Sequence, residues 1–157
     1  MPIISCPTGL VRAPIDVVWK LLTDPAGWPT FFDIRVTRIV PLGPAVVGQQ
    51  IFGESGPRIL RLAVALEYTE IDAARRQIGL NIQLPLGITV RENVSCTAVG
   101  DSRCRVNYHC DFGVPPGWRG VLARMMLRRE MEAGPADSLS RLARAAEKDY
   151  RLLNSRL

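Results

Sequence analysis

Apolar and polar residues alternate from Ile88 to Val99 (ITVRENVSCTAV), the period of a strand with one dry face. Ile88, Val90, Val94, Cys96 and Ala98 share one face, and Thr89, Arg91, Asn93, Ser95 and Thr97 share the other. Glu92 breaks the pattern, because it falls on the apolar face. A carboxylate there costs free energy unless it is paired, protonated or hydrated. The same period of two predicts strands over Ile34–Val40, Gln49–Glu54, Ile59–Ile71, Gln77–Leu84 and Arg103–Gly113. Their dry faces are Leu60, Leu62, Val64, Leu66 and Tyr68, then Ile78, Leu80, Ile82 and Leu84, then Cys104, Val106, Tyr108, Cys110 and Phe112. The apolar-biased segment Ile3–Arg12 predicts a first strand. Turn-rich connections between short strands argue for an antiparallel meander.

Two stretches carry helical spacing instead. Ala13-Pro14 opens a helix in which Pro14 suits the first turn, Asp16 favours the positive end, and Ile15, Val18, Trp19 and Leu22 face inward. A second short helix is expected through Trp28–Phe32, with Asp24 as its cap. From Trp118 onward the chain reads as a long helix, with apolar stripes at Val121, Leu122, Met125 and Met126, then at Leu139, Leu142, Ala143 and Ala146. Gly134-Pro135 predicts a kink or break between the stripes.

Facing matters for pairing, since a one-residue slip turns a strand inside out. The long strands place even-numbered residues on the dry face, so opposed residues sum to an even number. Three-residue connections at Pro85-Leu86-Gly87 and Gly100-Asp101-Ser102 meet this condition. They pair Leu80 with Glu92 and Glu92 with Cys110, and they set Tyr108 opposite Val94. The long C-terminal helix is the element large enough to cover this face. A curved sheet closing over a helix leaves space between them, and methionines tolerate varied occupants there.

Composition narrows the function without naming it. The chain has 157 residues, 47% hydrophobic and 22% charged, which suits one soluble domain spanning residues 1–157. No segment has the length of a membrane span, and the N-terminus lacks a signal-peptide pattern, so a cytoplasmic location is expected. Cys6, Cys96, Cys104 and Cys110 have no metal-ligand spacing, so they read as reduced thiols, and neither a metal nor a cofactor is expected. The net charge of +5, from 20 basic against 15 acidic residues, is concentrated between Arg119 and Arg156. That excess suits nucleic acid, anionic lipid or an acidic partner, but aromatics are not interleaved as nucleic-acid binding prefers. A solvated outer helix face is the simpler reading, and no nucleic-acid partner is expected.

The element order, the stretch Arg12–Trp19 (RAPIDVVW), D-P-x-x-W-P at Asp24–Pro29, Val47-Gly48, and L-x-x-L-x-x-A-A-E at Leu139–Glu147 resemble the START-like (SRPBCC) superfamily. The similarity is greatest to its polyketide cyclase/dehydratase and lipid-transport branch. The resemblance implies an α+β helix-grip fold: a seven-stranded antiparallel sheet curved around a long C-terminal helix, with two short helices after the first strand. It also implies a cavity for a hydrophobic or aromatic small molecule. Separately, a homodimer is one option for assembly. Fold alone does not choose among cyclases, sterol or lipid carriers and quinone chaperones.

Within that cavity Glu92 is the candidate proton shuttle or ligand anchor, since burial raises a carboxyl pKa. The competing reading is an ion pair with Arg128 or Arg129. Tyr68 and Tyr108 offer an aromatic wall and a hydroxyl each, and core packing competes with that role. Trp28, Phe31 and Phe32 are expected to cap one end. Leu62, Val64, Leu80, Val94, Cys110, Leu122, Met125 and Met126 complete the expected ligand-binding lining. Cys110 beside a carboxylate is disfavoured as a nucleophile. His109, the single histidine, falls on the outer face, which argues against a catalytic triad. The readings are therefore a small-molecule binder that cyclises or dehydrates a polyketide-like substrate, or a non-catalytic lipid, sterol or quinone carrier.

Overall fold

The computed structural model describes residues 3–56, 59 and 61–156. Among the described residues, eight strands, β1 (Ile3–Ser5), β2 (Thr8–Val11), β3 (Arg35–Val40), β4 (Gln50–Ser55), β5 (Leu62–Asp72), β6 (Gln77–Gln83), β7 (Thr89–Ala98) and β8 (Cys104–Gly113), form one antiparallel sheet. Its order is β1-β8-β7-β6-β5-β4-β3, with β2 also on β8. Helix α1 (Ile15–Leu22) and a 3₁₀ segment (Pro25–Thr30) follow β2, and α2 (Trp118–Asn154) ends the chain. This is the helix-grip arrangement that the resemblance implied.

The expected first strand is interrupted. β1 and β2 both pair with β8 in the same register, Ser5 opposite Cys110 and Thr8 opposite Asn107. Cys6-Pro7 separates them, because proline has no N–H for the ladder. The Pro7 carbonyl still accepts from the Tyr108 N–H at 2.9 Å. Taken as one broken strand, β1 and β2 make the sheet seven-stranded. Strand β5 begins at Leu62, and Leu60 of the expected face lies outside the described residues.

The register around β7 follows the even-number rule: Leu80 opposes Glu92, Glu92 opposes Cys110, and Val94 opposes Tyr108. The three-residue turn at Pro85–Gly87 has positive φ at Leu86 (66°) and Gly87 (78°). On β5 a bulge between Tyr68 and Glu70 ends the even-numbered face, and Ile71 pairs with Ile78 beyond it.

Helix α1 buries Val18 and Leu22, with Ile15 and Trp19 half-buried against the core. Its outer side is tied to the β5–β6 turn by the Arg76–Asp16 ion pair, while the Arg76 guanidinium lies 5.5 Å from the Trp19 ring centroid. Asp24 does precede the 3₁₀ segment, but its side chain makes no capping bond. The Asp24 backbone carbonyl accepts from Gly27 N–H at 3.0 Å instead.

Two expectations for the long helix are corrected. First, α2 is not broken at Gly134-Pro135, and Pro135 lies buried inside one continuous element. Pro135 deprives the Met131 carbonyl of its helical donor, but 37 residues of helix packed along one side sustain it. Second, the methionine stripe does not face the sheet. Met125 is 74% exposed and Met126 50% exposed, with Val121 also outside. The buried stripe is Gly120, Ala123, Met131, Pro135, Leu139, Leu142 and Ala146, with Leu127 half-buried. Both stripes have helical spacing, and the smaller residues win the inner side because the backbone there approaches closely. A β-carbon added to Gly120 would lie 2.0 Å from the Pro115 carbonyl oxygen.

Gly120→Ala is therefore expected to destabilise the fold by about 1–3 kcal/mol through overpacking, although alanine normally favours a helix by roughly 1 kcal/mol. Urea denaturation of the variant checks the sign.

Candidate functional site

The paired strands arrange their inward side chains in rows across the sheet. One row runs Leu66, Ile82, Val90, Phe112, the next Tyr68, Leu80, Glu92, Cys110, and the third Ile78, Val94, Tyr108. The third row is packed solid, with Ile78 and Val94 fully buried and Tyr108 2% exposed. The first row floors a cavity of about 380 Å³, whose apolar wall also includes Phe32, Ile34, Val64 and Leu84. Glu92 and Cys110, in the middle row, line it as well. Glu92 thus sits where packed core meets open cavity.

Helix α2 supplies the opposite wall with Arg129, Glu130, Ala133, Gly134, Pro135, Asp137, Ser138 and Arg141. The small residues Ala133 and Gly134 leave room: a β-carbon on Gly134 would meet nothing within 4 Å. Gly134-Pro135 is thus part of the cavity wall. The space has an apolar floor carrying one acid and a polar rim.

Glu92 is buried, and its Oε1 has no hydrogen-bond partner. Burial pushes its carboxyl up to about 7, against a smaller opposing effect of the hydrogen bond with the Cys110 thiol. The Cys110 thiol is itself pushed up, first by burial and then by the neighbouring carboxylate, so it stays protonated and donates. The expected alternative of an arginine partner does not form. Arg128 pairs with Glu132 at 2.8 Å on the exposed side of the helix, and no ion pair reaches Glu92 among the described residues.

The two tyrosines differ. Tyr68 donates its hydroxyl to the Leu22 carbonyl at 2.7 Å, and Trp28 Nε1 donates to the same oxygen at 3.4 Å. That carbonyl belongs to the last turn of α1, where helical donors run out. Trp28 also packs on Tyr68 and Phe32, with ring centroids 5.3 Å away in each case. Tyr68 and Trp28 therefore brace α1, and only Phe32 of the aromatic trio lines the cavity. Tyr108 lies under the site with an unpartnered hydroxyl, its pKa raised by burial and then by Glu92.

Of the sequence-predicted lining, the structure brings Phe32, Val64, Glu92 and Cys110 to the cavity. Leu80, Val94 and Tyr108 lie in the packed part of the same face, and Leu62 sits half-buried at the start of β5. Leu122 is half-buried on α2, and Met125 and Met126 are outside. His109 is on the outer face as expected, its Nδ1 3.1 Å from the exposed Cys6 sulfur. Sequence reasoning missed Leu66, Ile82, Leu84, Val90 and Phe112, although all five belong to dry faces that alternation identifies. It also missed the α2 wall, whose small and polar residues give no apolar signal.

Three variants test this site. The folded carboxyl is raised to about 7 from 4.5, so its neutral form favours the fold. Its contribution to stability is complete below the unfolded value and lost as pH rises through 7. Compared with Glu92→Gln, the wild-type chain should lose about 3 kcal/mol between about pH 4 and pH 8, read from denaturation midpoints. Tyr68→Phe should cost about 1–2 kcal/mol by removing a donor from a buried carbonyl. Tyr108→Phe, removing a hydroxyl that bonds nothing, should be neutral or stabilising in the same assay.

The fold matches solved structures along nearly its whole length. The Zhui aromatase/cyclase from Streptomyces sp. R1128 superposes with a TM-score of 0.80 at 20% identity, covering 94% of this chain and 95% of that one. A norcoclaurine synthase point mutant from Thalictrum flavum gives 0.71 at 15% identity, covering 98% and 97%. A protein from Thermus thermophilus gives 0.70 at 15% identity, covering 91% and 96%. At these identities the likeness establishes the fold alone. No curated protein matches the chain significantly in sequence. No helix among the described residues is long and apolar enough to cross a membrane. The model of one family matches residues 8–147, nearly all of the sheet and most of α2, and the chain belongs to that family, polyketide cyclase/dehydrase and lipid transport.

Proposed function

We propose that the chain takes a hydrophobic or aromatic small molecule into the Glu92 cavity and cyclises or dehydrates a polyketide-like substrate there. The observation that carries this reading is a carboxyl poised near neutrality, one oxygen unpartnered, at the edge of an apolar cavity. A general acid–base works best with a pKa close to the operating pH. The Zhui protein, an aromatase/cyclase by name, has the same fold and supports the reaction class.

In the proposed chemistry, ionised Glu92 removes a proton from a methylene flanked by two carbonyls. The resulting enolate carbon bonds to a second carbonyl carbon held near it by the cavity walls. The alkoxide oxygen then takes the proton from Glu92. A second proton removal at the adjoining carbon, with protonation of the departing hydroxyl, releases water and leaves a double bond. The apolar floor folds the flexible chain into the reactive conformer, and the rim on α2 receives its polar end. Cys110 holds the carboxyl in place as a hydrogen-bond donor. Tyr68, committed to Leu22, has no part in the reaction, and Tyr108, buried in the packed row with its hydroxyl unpartnered, has none either.

A linear poly-β-ketone mimic incubated with the protein should yield a cyclised, dehydrated product detectable by mass spectrometry. Glu92→Gln should lower the rate by roughly 10²–10⁴-fold while affinity for the mimic, read by tryptophan quenching, stays near wild type. Gly134→Leu, which adds bulk at a residue of the cavity wall, should weaken affinity itself. Turnover unchanged in Glu92→Gln would reject the proton-transfer role. Affinity lost in Gly134→Leu, together with no turnover by the wild type, would favour a non-catalytic lipid, sterol or quinone carrier.

A further inference from the structure

The first turns of α2 carry a surface that the cavity does not use. Trp118, Val121, Met125 and Met126 are 73%, 69%, 74% and 50% exposed. They recur at helical spacing on the side away from Gly120, Ala123 and Met131, which turn toward the protein. From Trp118 to Arg129 the chain reads WRGVLARMMLRR, with four arginines, no acid, and no serine, threonine, asparagine or glutamine. The Arg119 guanidinium lies 5.7 Å from the Trp118 ring centroid, Arg128 pairs with Glu132 one turn on, and Arg129 reaches the cavity lining.

A fifth apolar side chain is held out nearby. The Pro85–Gly87 turn lies beside the start of α2, where a β-carbon on Gly87 would be 3.7 Å from Pro115. Leu86 in that turn is 39% exposed at a φ of 66°. Left-handed backbone disfavours leucine and accepts glycine or asparagine. The strained position therefore keeps an apolar group in solvent, where neither turn geometry nor core packing asks for one.

We propose that this face, Trp118, Val121, Met125 and Met126 with Leu86 beside it, docks the protein on an anionic lipid surface. Large apolar side chains clustered on one exposed side mark an interaction site. Arginines on the same turns complement lipid phosphates and anionic headgroups. A tryptophan at the start of the helix suits the boundary between water and hydrocarbon. Arg129, on the turn after Met125 and Met126, also belongs to the cavity lining. The docking does not depend on whether Glu92 is catalytic.

The test uses the full chain with vesicles of phosphatidylcholine alone or with increasing phosphatidylserine. Co-sedimentation should rise with phosphatidylserine and fall about tenfold or more in about 0.5 M salt. Trp28 is buried and Trp19 half-buried, so a blue shift of tryptophan emission on binding should come from Trp118. The double variant Trp118→Ser/Met125→Ser, changed only at exposed positions, should keep the wild-type denaturation midpoint yet lose about tenfold or more in vesicle affinity and lose the blue shift. Failure of the wild type to bind phosphatidylserine vesicles would overturn the proposal, as would equal binding by the double variant. So would light scattering that finds a dimer under assay conditions which the double variant splits, because the face would then cover a second copy of the chain.

Discussion

The register of β7 between β6 and β8 is the constraint on which the site depends. It puts Glu92 opposite Leu80 on one side and Cys110 on the other. A slip of one residue in either pairing would turn the carboxyl to solvent, where its pKa would have no reason to leave the ordinary range. The register is fixed at both ends of β7 by short connections, a three-residue turn at Pro85–Gly87 and the turn closed by Val99 N–H on the Arg103 carbonyl at 2.9 Å. Local turn geometry thus determines the chemistry of a side chain well inside the strand. Strain at Leu86 is part of that arrangement, since the positive φ lets so short a connection close.

The same sheet face serves two ends. Beyond Glu92 toward Val94 and Tyr108 it is core, braced by α1 through Tyr68 and Trp28 on one carbonyl oxygen of Leu22. Toward Val90 and Phe112 it is cavity floor. A buried acid is tolerable at the boundary because the packed half supplies rigidity and the open half supplies access. One row deeper the carboxyl would be sealed from any substrate. One row outward it would approach the polar rim of α2 and keep more of its hydration. The pKa near neutrality comes from this intermediate depth, with the Cys110 thiol moderating the effect of burial.

Alternation made the fold and the neighbours of Glu92 legible, because a period of two states which way each side chain points. It does not state how far along the face the covering helix extends. That is why Leu80 and Val94 could not be told apart from Ile82 and Val90: all four are apolar, inward and strand-borne, and only the position of α2 separates core from cavity. The helix was harder to read for a related reason. Val121, Leu122, Met125 and Met126 form a more hydrophobic stripe than Gly120, Ala123 and Leu127, so hydropathy alone chooses the wrong side. Close approach decided it, since the Pro115 carbonyl leaves no room for a side chain at Gly120. Of the kink or break that Gly134-Pro135 predicted, the break did not occur. The cost of Pro135 is local, whereas the packing of Met131, Leu139 and Leu142 acts along the whole helix.

These two features of α2 are connected. A helix that packs through glycine and alanine at its start, close against the connection that leads into it, exposes its larger apolar residues. Further along, Ala133 and Gly134 again withhold bulk, but there no backbone closes in, and the space becomes the cavity. Small residues therefore do opposite things in the two places: close contact at Gly120, open side-chain volume at Gly134. The difference is what lies across from them, the Val114–Gly117 connection in one case and the Leu66–Phe112 row in the other. The acid, the cavity above it and the apolar face outside it follow from how one helix crosses one sheet, and a change in that crossing would alter all three together.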